Sequence, residues 1–277
     1  MAYLQVNYLS QALMRTVTVN VLLPADKQTF PGMPEPEGAP YKTLYLLHGI
    51  FGDYTDWIHG TNIQRWADEK NLAVVMPSGE NMFYLDQEKS HALYGEFIGK
   101  ELVEMTRKMF PLSHKREDTF IAGLSMGGYG ALRNGLKYHE TFGYIGALSA
   151  ALIVDDLETR TDDSPFFIET RSYAESVFGD LSKVKESDKN PEWTARRLKE
   201  KGAEIPRIYM ACGAEDGLLP TNRKFYNVLK EAGIDAELTV APGNHEWDFW
   251  NRYIKEFLDW LPLGEGTAGM SSGNVGI

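Results

Sequence analysis

A serine, a histidine and a carboxylate in this sequence have the types and spacing needed for nucleophilic acyl chemistry. The serine is Ser125, in Thr119-Phe120-Ile121-Ala122-Gly123-Leu124-Ser125-Met126-Gly127-Gly128-Tyr129-Gly130-Ala131-Leu132. An apolar β-type run leads in, and a stretch rich in Gly, Ala and Leu follows. That context makes G-x-S-x-G a nucleophile elbow, a very tight strand-to-helix turn. Gly123 and Gly127 remove the Cβ atoms that such a turn would crowd. Met126 N–H then sits at a helix N-terminus, aimed where an oxyanion would form.

A serine hydroxyl is a weak nucleophile at neutral pH. It needs a base within hydrogen-bond reach and a carboxylate that orients the base. On a strand–helix scaffold of this kind the chain order is serine, acid, histidine. Of the six histidines, His48, His59, His91 and His114 precede the serine, and His139 lies too near it. His245 occupies Pro242-Gly243-Asn244-His245-Glu246-Trp247, just past the last strand-like run, and is the expected base. The acid should follow the preceding strand, in Cys212-Gly213-Ala214-Glu215-Asp216-Gly217. Asp216 is favoured and Glu215 is the alternative. Asp248 is too close to His245. The second oxyanion donor should come from His48-Gly49-Ile50-Phe51-Gly52, with Ile50 N–H preferred and Phe51 N–H the alternative. His48 itself reads as a packing or loop-bonding residue.

These residues need a frame. Leu4–Leu9 and Arg15–Leu23 alternate in polarity and read as an antiparallel strand pair. Thr43–Leu47 and Ala73–Met76 are continuous apolar runs, as strands buried on both faces are. Asn62–Lys70 and Gly95–Phe110 read as helices, the second with Ile98, Leu102, Met105 and Met109 on one stripe. Pro77–Tyr94 reads as a long loop. Strands at Gly143–Ser149, Arg207–Ala211 and Ala236–Ala241 alternate with helices at Thr221–Ala232 and Trp247–Leu261. The pattern specifies an α/β fold, a mostly parallel sheet with helices on both faces. Residues 1–262 are expected to form one domain. Ala150–Ile205 breaks the rhythm as a charged insertion, either a lid or a surface excursion. Phe30–Pro40 reads as a proline-rich surface loop, and residues 263–277 as a flexible tail.

Composition narrows the function classes. The chain has 277 residues, 43% of them hydrophobic, and a net charge of -11. That balance argues against nucleic-acid and anionic-membrane partners. Cys212 is the only cysteine, so neither a disulfide nor a cysteine metal site is expected, and no cofactor is needed. No apolar run approaches membrane-spanning length, and no basic-then-apolar leader is seen, so a cytoplasmic protein is expected. Self-association is left open.

Leu46-Leu47-His48-Gly49-Ile50, Gly123-Leu124-Ser125-Met126-Gly127-Gly128-Tyr129-Gly130-Ala131, Cys212-Gly213-Ala214-Glu215-Asp216 and Gly243-Asn244-His245-Glu246-Trp247 together resemble the esterase D-type branch of the α/β-hydrolases. That branch includes tributyrin esterases, feruloyl and acetylxylan esterases of carbohydrate esterase family 1, S-formylglutathione hydrolases and mycolyltransferases. The likeness runs from about Leu4 to Pro262, outside most of the insertion. It implies an α/β-hydrolase fold, a Ser125–Asp216–His245 triad, and Met126 and Ile50 as oxyanion donors. S-formylglutathione hydrolases carry additional cysteine-bearing signatures, whereas Cys212 here is alone on a strand. The tributyrin and feruloyl esterase side is therefore closer. Phe51, Trp57, Tyr84, Tyr94, Trp193 and Trp247 are candidates to line a pocket for a short acyl or hydroxycinnamoyl group. The expectation is a serine carboxylesterase acting on a small-molecule ester. An S-formylglutathione hydrolase-like thioesterase and an acyltransferase are the enzyme alternatives. A carbohydrate-binding module on a hydrolase fold is the non-enzyme alternative.

Overall fold

The computed structural model describes residues 1–28 and 38–264. Most of the loop expected at Phe30–Pro40, and nearly all of the tail expected after Pro262, lie outside the described residues. Eight strands build the main sheet: β1 (Ala2–Ser10), β2 (Arg15–Leu23), β3 (Thr43–Leu47), β4 (Ala73–Pro77), β5 (Thr119–Leu124), β6 (Tyr144–Leu148), β7 (Arg207–Gly213) and β8 (Ala236–Ala241). Their spatial order is β1-β2-β4-β3-β5-β6-β7-β8. The β1–β2 and β2–β4 pairs are antiparallel, and every later pair is parallel. The fold is α/β, as the alternation of runs predicts.

Successive side chains of a strand point to opposite faces, so one apolar run feeds two cores. Tyr45, Leu47, Ile121 and Ile145 pack on one face, against Leu102, Tyr129 and Phe225. Their neighbours Leu44, Leu46, Phe120 and Leu148 pack on the other, against Trp57, Trp66 and Phe257. The α-helices longer than one turn are α1 (Asp56–Gly60), α2 (Ile63–Glu69), α3 (Leu102–Met109), α4 (Met126–Lys137), α5 (Arg171–Phe178), α6 (Pro191–Glu200), α7 (Leu219–Glu231) and α8 (Trp247–Trp260). Helix α8 buries Phe249, Trp250, Tyr253, Ile254, Phe257 and Leu258. Each such side chain contributes about 1.5–3 kcal/mol. That burial fixes the segment that begins two residues after His245.

Two sequence expectations need correction here. The run expected to be one helix from Gly95 to Phe110 contains a π-turn at Phe97–Glu101 before α3. The added residue rotates the buried face. Ile98 and Leu102 stay buried, Met105 is half-buried, Met109 is exposed, and Phe97, Val103 and Thr106 turn inward instead. The turn carries Glu101 to the β1–β2 connection, where its carboxylate accepts from Ser10 Oγ at 2.7 Å and Ala12 N–H at 3.1 Å. Pro77–Tyr94, expected as loop, holds a two-stranded ribbon of Asp86–Gln87 and Ala92–Leu93.

The insertion joins β6 to β7 and carries α5 and α6. Ala174, Phe178 and Ala195 are buried in the same core as α4. Below it lies a charge cluster. Arg133 is only 1% exposed, and its guanidinium meets Asp188 of the insertion at 2.6 Å and Asp86 at 3.4 Å. Lys137 also meets Asp188, at 2.7 Å. A buried charge is tolerated when it is paired in this way.

Candidate active site

Three loops at the carboxyl end of the sheet converge on Ser125. The serine sits between β5 and α4 at φ 53° and ψ -117°. A non-glycine residue at positive φ is strained by about 1–3 kcal/mol and persists only where its surroundings fix it. Here they do. Ser125 N–H donates to Leu148 O at 2.9 Å, and Ser125 O accepts from Ala151 N–H at 2.9 Å and Tyr129 N–H at 3.0 Å. Asn222 pins Ala150 from both sides, Nδ2 donating to Ala150 O at 2.9 Å and Oδ1 accepting from Ala150 N–H at 3.1 Å. The glycines are steric necessities. A Cβ on Gly123 would stand 2.4 Å from Gly127 O, and one on Gly127 would stand 2.4 Å from Leu47 O.

The structure brings together the three side chains that the chain order singled out. His245 Nε2 lies 3.0 Å from Ser125 Oγ, and His245 Nδ1 lies 2.9 Å from Asp216 Oδ2. Asp216 is buried at 4% exposure. Burial opposes its ionisation. Hydrogen bonds from His245, from Leu218 N–H at 2.8 Å and from the Ser149 hydroxyl outweigh burial and hold the carboxyl below its ordinary value. A carboxylate here favours the proton of a neutral His245 ring on Nδ1, which leaves Nε2 able to accept a proton from Ser125. Glu215, the alternative acid, instead accepts from Gly243 N–H at 2.7 Å and so braces the histidine loop.

The candidate oxyanion loop, 48–54, leaves β3. His48 is completely buried, and burial pushes its pKa down. Its Nε2 accepts from Gly79 N–H at 2.8 Å, so the proton of the neutral ring is on Nδ1 and donates to Gly49 O. That bond holds the oxygen of the Gly49–Ile50 peptide. In a trans peptide the N–H of Ile50 then faces the opposite way. Phe51 N–H is committed to Asn81 Oδ1 at 2.8 Å, which leaves Ile50 N–H for an oxyanion. His48 is thus the loop-bonding residue that the sequence suggests.

A cleft of about 450 Å³ opens on the serine, lined by Ile50, Asp56, Ser125, His245, Trp247 and Trp250 among others. Of the aromatic candidates, Trp247 lines it. Phe51 sits beside it in the oxyanion loop, 62% exposed, against Phe166 and Phe167 of the insertion. Trp57 and Tyr84 do not line it. Both are buried: Trp57 Nε1 donates to Leu47 O at 2.9 Å and Tyr84 OH to His48 O at 2.9 Å. Each ring is large enough to fill core beneath the site, and each polar tip then needs a backbone acceptor. Tyr94 is likewise buried and accepts from Arg15 at 2.8 Å. Trp193 is on α6 outside the cleft, its ring under the Arg197 guanidinium. Sequence reasoning missed Trp250, whose ring stands edge-on to His245 at 4.8 Å while its Nε1 donates to Ser149 Oγ at 3.2 Å. It falls three residues after Trp247 on α8, where a stripe residue reads as core. Asp56, half-buried in the cleft wall, has its pKa raised by burial.

Cys212 is buried beside the triad. Burial first, and the nearby Asp216 second, push its thiol up to about 12. The thiolate is the reactive form. A disulfide reagent at mildly alkaline pH is therefore expected to leave native protein unlabelled and to label one thiol after unfolding in guanidinium chloride. Labelling of folded protein at the unfolded rate would contradict this.

No helix among the described residues is long and apolar enough to cross a membrane. The family model described as "Putative esterase" matches residues 10–261. An acetyl esterase of Caldicellulosiruptor saccharolyticus is 45% identical, over 94% of this chain and 98% of its own. Among solved structures, substrate-bound FphF, a fluorophosphonate-binding serine hydrolase of Staphylococcus aureus, superposes with a TM-score of 0.81 at 31% identity, over 94% of this chain and 98% of that one. The S-formylglutathione hydrolase FrmB of Staphylococcus aureus, an apoenzyme, gives a TM-score of 0.80 at 31% identity with the same coverage. The strand order, the serine at its elbow and these matches agree: the chain belongs to the putative esterase family and is a serine carboxylic ester hydrolase.

Proposed function

We propose that this protein hydrolyses short-chain acyl esters of the acetyl type through an acyl-enzyme on Ser125, with His245 as base and Asp216 as its orienting acid. The observation that carries this reading is the unbroken hydrogen-bonded chain Ser125–His245–Asp216 at the floor of the cleft. Ser125 Oγ attacks the ester carbonyl as its proton passes to His245 Nε2. Met126 and Ile50 N–H receive the oxyanion. The tetrahedral species collapses, and His245 returns the proton to the leaving alcohol. Water then repeats the sequence in reverse roles and frees Ser125.

The acetyl-type preference rests on the 45% identical acetyl esterase and on the modest cleft. Phe51 beside the cleft keeps a hydroxycinnamoyl ester in the substrate set. The likeness to FrmB favours a second reading, thioester hydrolysis of S-formylglutathione. Asp56 and Glu246 at the cleft weigh against it, because glutathione carries carboxylates of its own. A cytoplasmic site of action belongs to this reading, and the lone buried Cys212 is compatible with it. The test is a panel of p-nitrophenyl esters from acetyl to octanoyl, with methyl ferulate and S-formylglutathione. kcat/KM is expected to peak at acetyl to butyryl and to be at least about 10-fold lower for octanoyl, the order of discrimination one pocket achieves over a few methylenes. A maximum at octanoyl, or S-formylglutathione as the best substrate, would reverse the assignment.

A further inference from the structure

The insertion reaches the oxyanion loop by two routes, one direct and one through Asn81, and both converge on Phe51. Phe166 and Phe167 lie against the Phe51 ring with centroids 6.2 and 6.0 Å away. From α5, Tyr173 OH donates to the backbone oxygen of Asn81 at 2.6 Å. The side chain of the same Asn81 accepts the Phe51 N–H at 2.8 Å. Phe167 and Tyr173 are themselves edge to face at 5.3 Å, so both contacts belong to one aromatic cluster. Phe51 stands at φ 69°, where a bulky side chain is a genuine outlier. Such a conformation needs external bonds to keep it. Asn81 Oδ1 supplies one to its N–H and the two phenylalanines supply a surface to its ring.

The Phe51 N–H belongs to the peptide that directly follows Ile50. A rotation there carries Ile50 with it. We propose that Asn81 and Tyr173 are positioning residues, a strap through which the insertion holds the oxyanion loop so that Ile50 N–H points at the developing charge. The proposal rests on the reading of Ser125 as nucleophile. It gives the insertion a catalytic task distinct from covering the cleft. Neither side chain touches the reacting atoms; both act through the Ile50–Phe51 peptide.

The strap acts on the transition state more than on the bound ester, because the oxyanion charge exists only there. With p-nitrophenyl acetate, Asn81→Ala is expected to lower kcat by about 10- to 100-fold with KM within about 2-fold, below the loss from deleting an oxyanion donor outright. Tyr173→Phe removes one hydroxyl and keeps the ring cluster, so it is the variant least disturbing to folding. It is expected to lower kcat by about 3- to 10-fold, as a partial displacement would. Because Tyr173 acts through Asn81, the double variant should be no slower than about 2-fold below Asn81→Ala. Phosphonylation of Ser125 by a p-nitrophenyl phosphonate, which develops the same oxyanion, should slow in parallel with kcat. An unchanged kcat in both single variants, a raised KM with kcat intact, or multiplicative losses in the double variant would each overturn the strap. Ser125→Ala run beside them separates the two readings. Wild-type turnover in Ser125→Ala would sink the site and the strap together. Loss of turnover in Ser125→Ala with normal Asn81→Ala and Tyr173→Phe would sink the strap alone.

Discussion

Ser125→Ala is expected to lower kcat for p-nitrophenyl acetate by about 10⁵-fold or more, the scale seen when a serine nucleophile is removed from a working triad. What survives is the contribution of binding and the oxyanion donors. The fold should persist, since the alanine side chain occupies the same space and the backbone bonds to Leu148, Ala151 and Tyr129 are untouched. Stability offers a second reading of the same position. Serine and alanine both pay for φ 53°, whereas glycine does not. Ser125→Gly should therefore be as inactive as Ser125→Ala yet more stable by about 1 kcal/mol, the strain relieved less the added freedom of the unfolded chain. Thermal denaturation of the two variants measures the difference. A Ser125→Gly protein less stable than Ser125→Ala would show that the elbow is not strained.

Gly127→Ala has the largest expected structural effect. Its new Cβ would meet Leu47 O at 2.4 Å, His48 O at 2.5 Å and Leu47 C at 2.7 Å, all backbone atoms of β3 and its exit. No rotamer change relieves a backbone contact, so the elbow helix and the strand end must separate. Overpacking of a tight core costs about 1–3 kcal/mol, and a site with no flexible neighbour falls at the top of that range. Tm should drop by roughly 6–12 °C at the slope typical of large domains. Because the displaced atoms lead into Gly49 and Ile50, kcat should fall as well. Gly217→Ala is the matched control, with nothing within 4 Å of its new Cβ. It should stay within about 0.5 kcal/mol of wild type. Equal behaviour of the two alanine variants would contradict the packing argument.

Much of this site was legible because its requirements are local. Ser125 is bracketed by glycines that only a tight turn demands, and the strand before it is apolar on both faces. His245 and Asp216 stand out by chain order at strand-to-helix loops, a consequence of the sheet's connectivity. The aromatic residues were not legible. Whether Trp57 lines a cleft or fills a core depends on which loop lies over it, and its own segment says nothing about that. Trp250 was hidden for the opposite reason, since it falls on an apolar stripe that predicts core. Met109 was misplaced because a π-turn leaves no mark in the hydrophobic period until the register has already moved. Asn81 lies in a loop, Tyr173 lies on a short helix outside its buried stripe of Ala174, Val177 and Phe178, and their relation to Phe51 exists only in three dimensions.

The charge cluster under the insertion has a consequence for whether the insertion can move. Asp188 is tied to the buried guanidinium of Arg133 and to Lys137, and Tyr129 OH donates to the neighbouring Lys189 O. Swinging this segment outward would take Asp188 from the buried Arg133 guanidinium and leave it Asp86 and Asn134 alone, which opposes the motion. An insertion so anchored, and whose residues do not line the cleft, is not expected to swing at an oil–water boundary. Turnover of a sparingly soluble ester should follow simple saturation through its solubility limit, with no jump when droplets or micelles form.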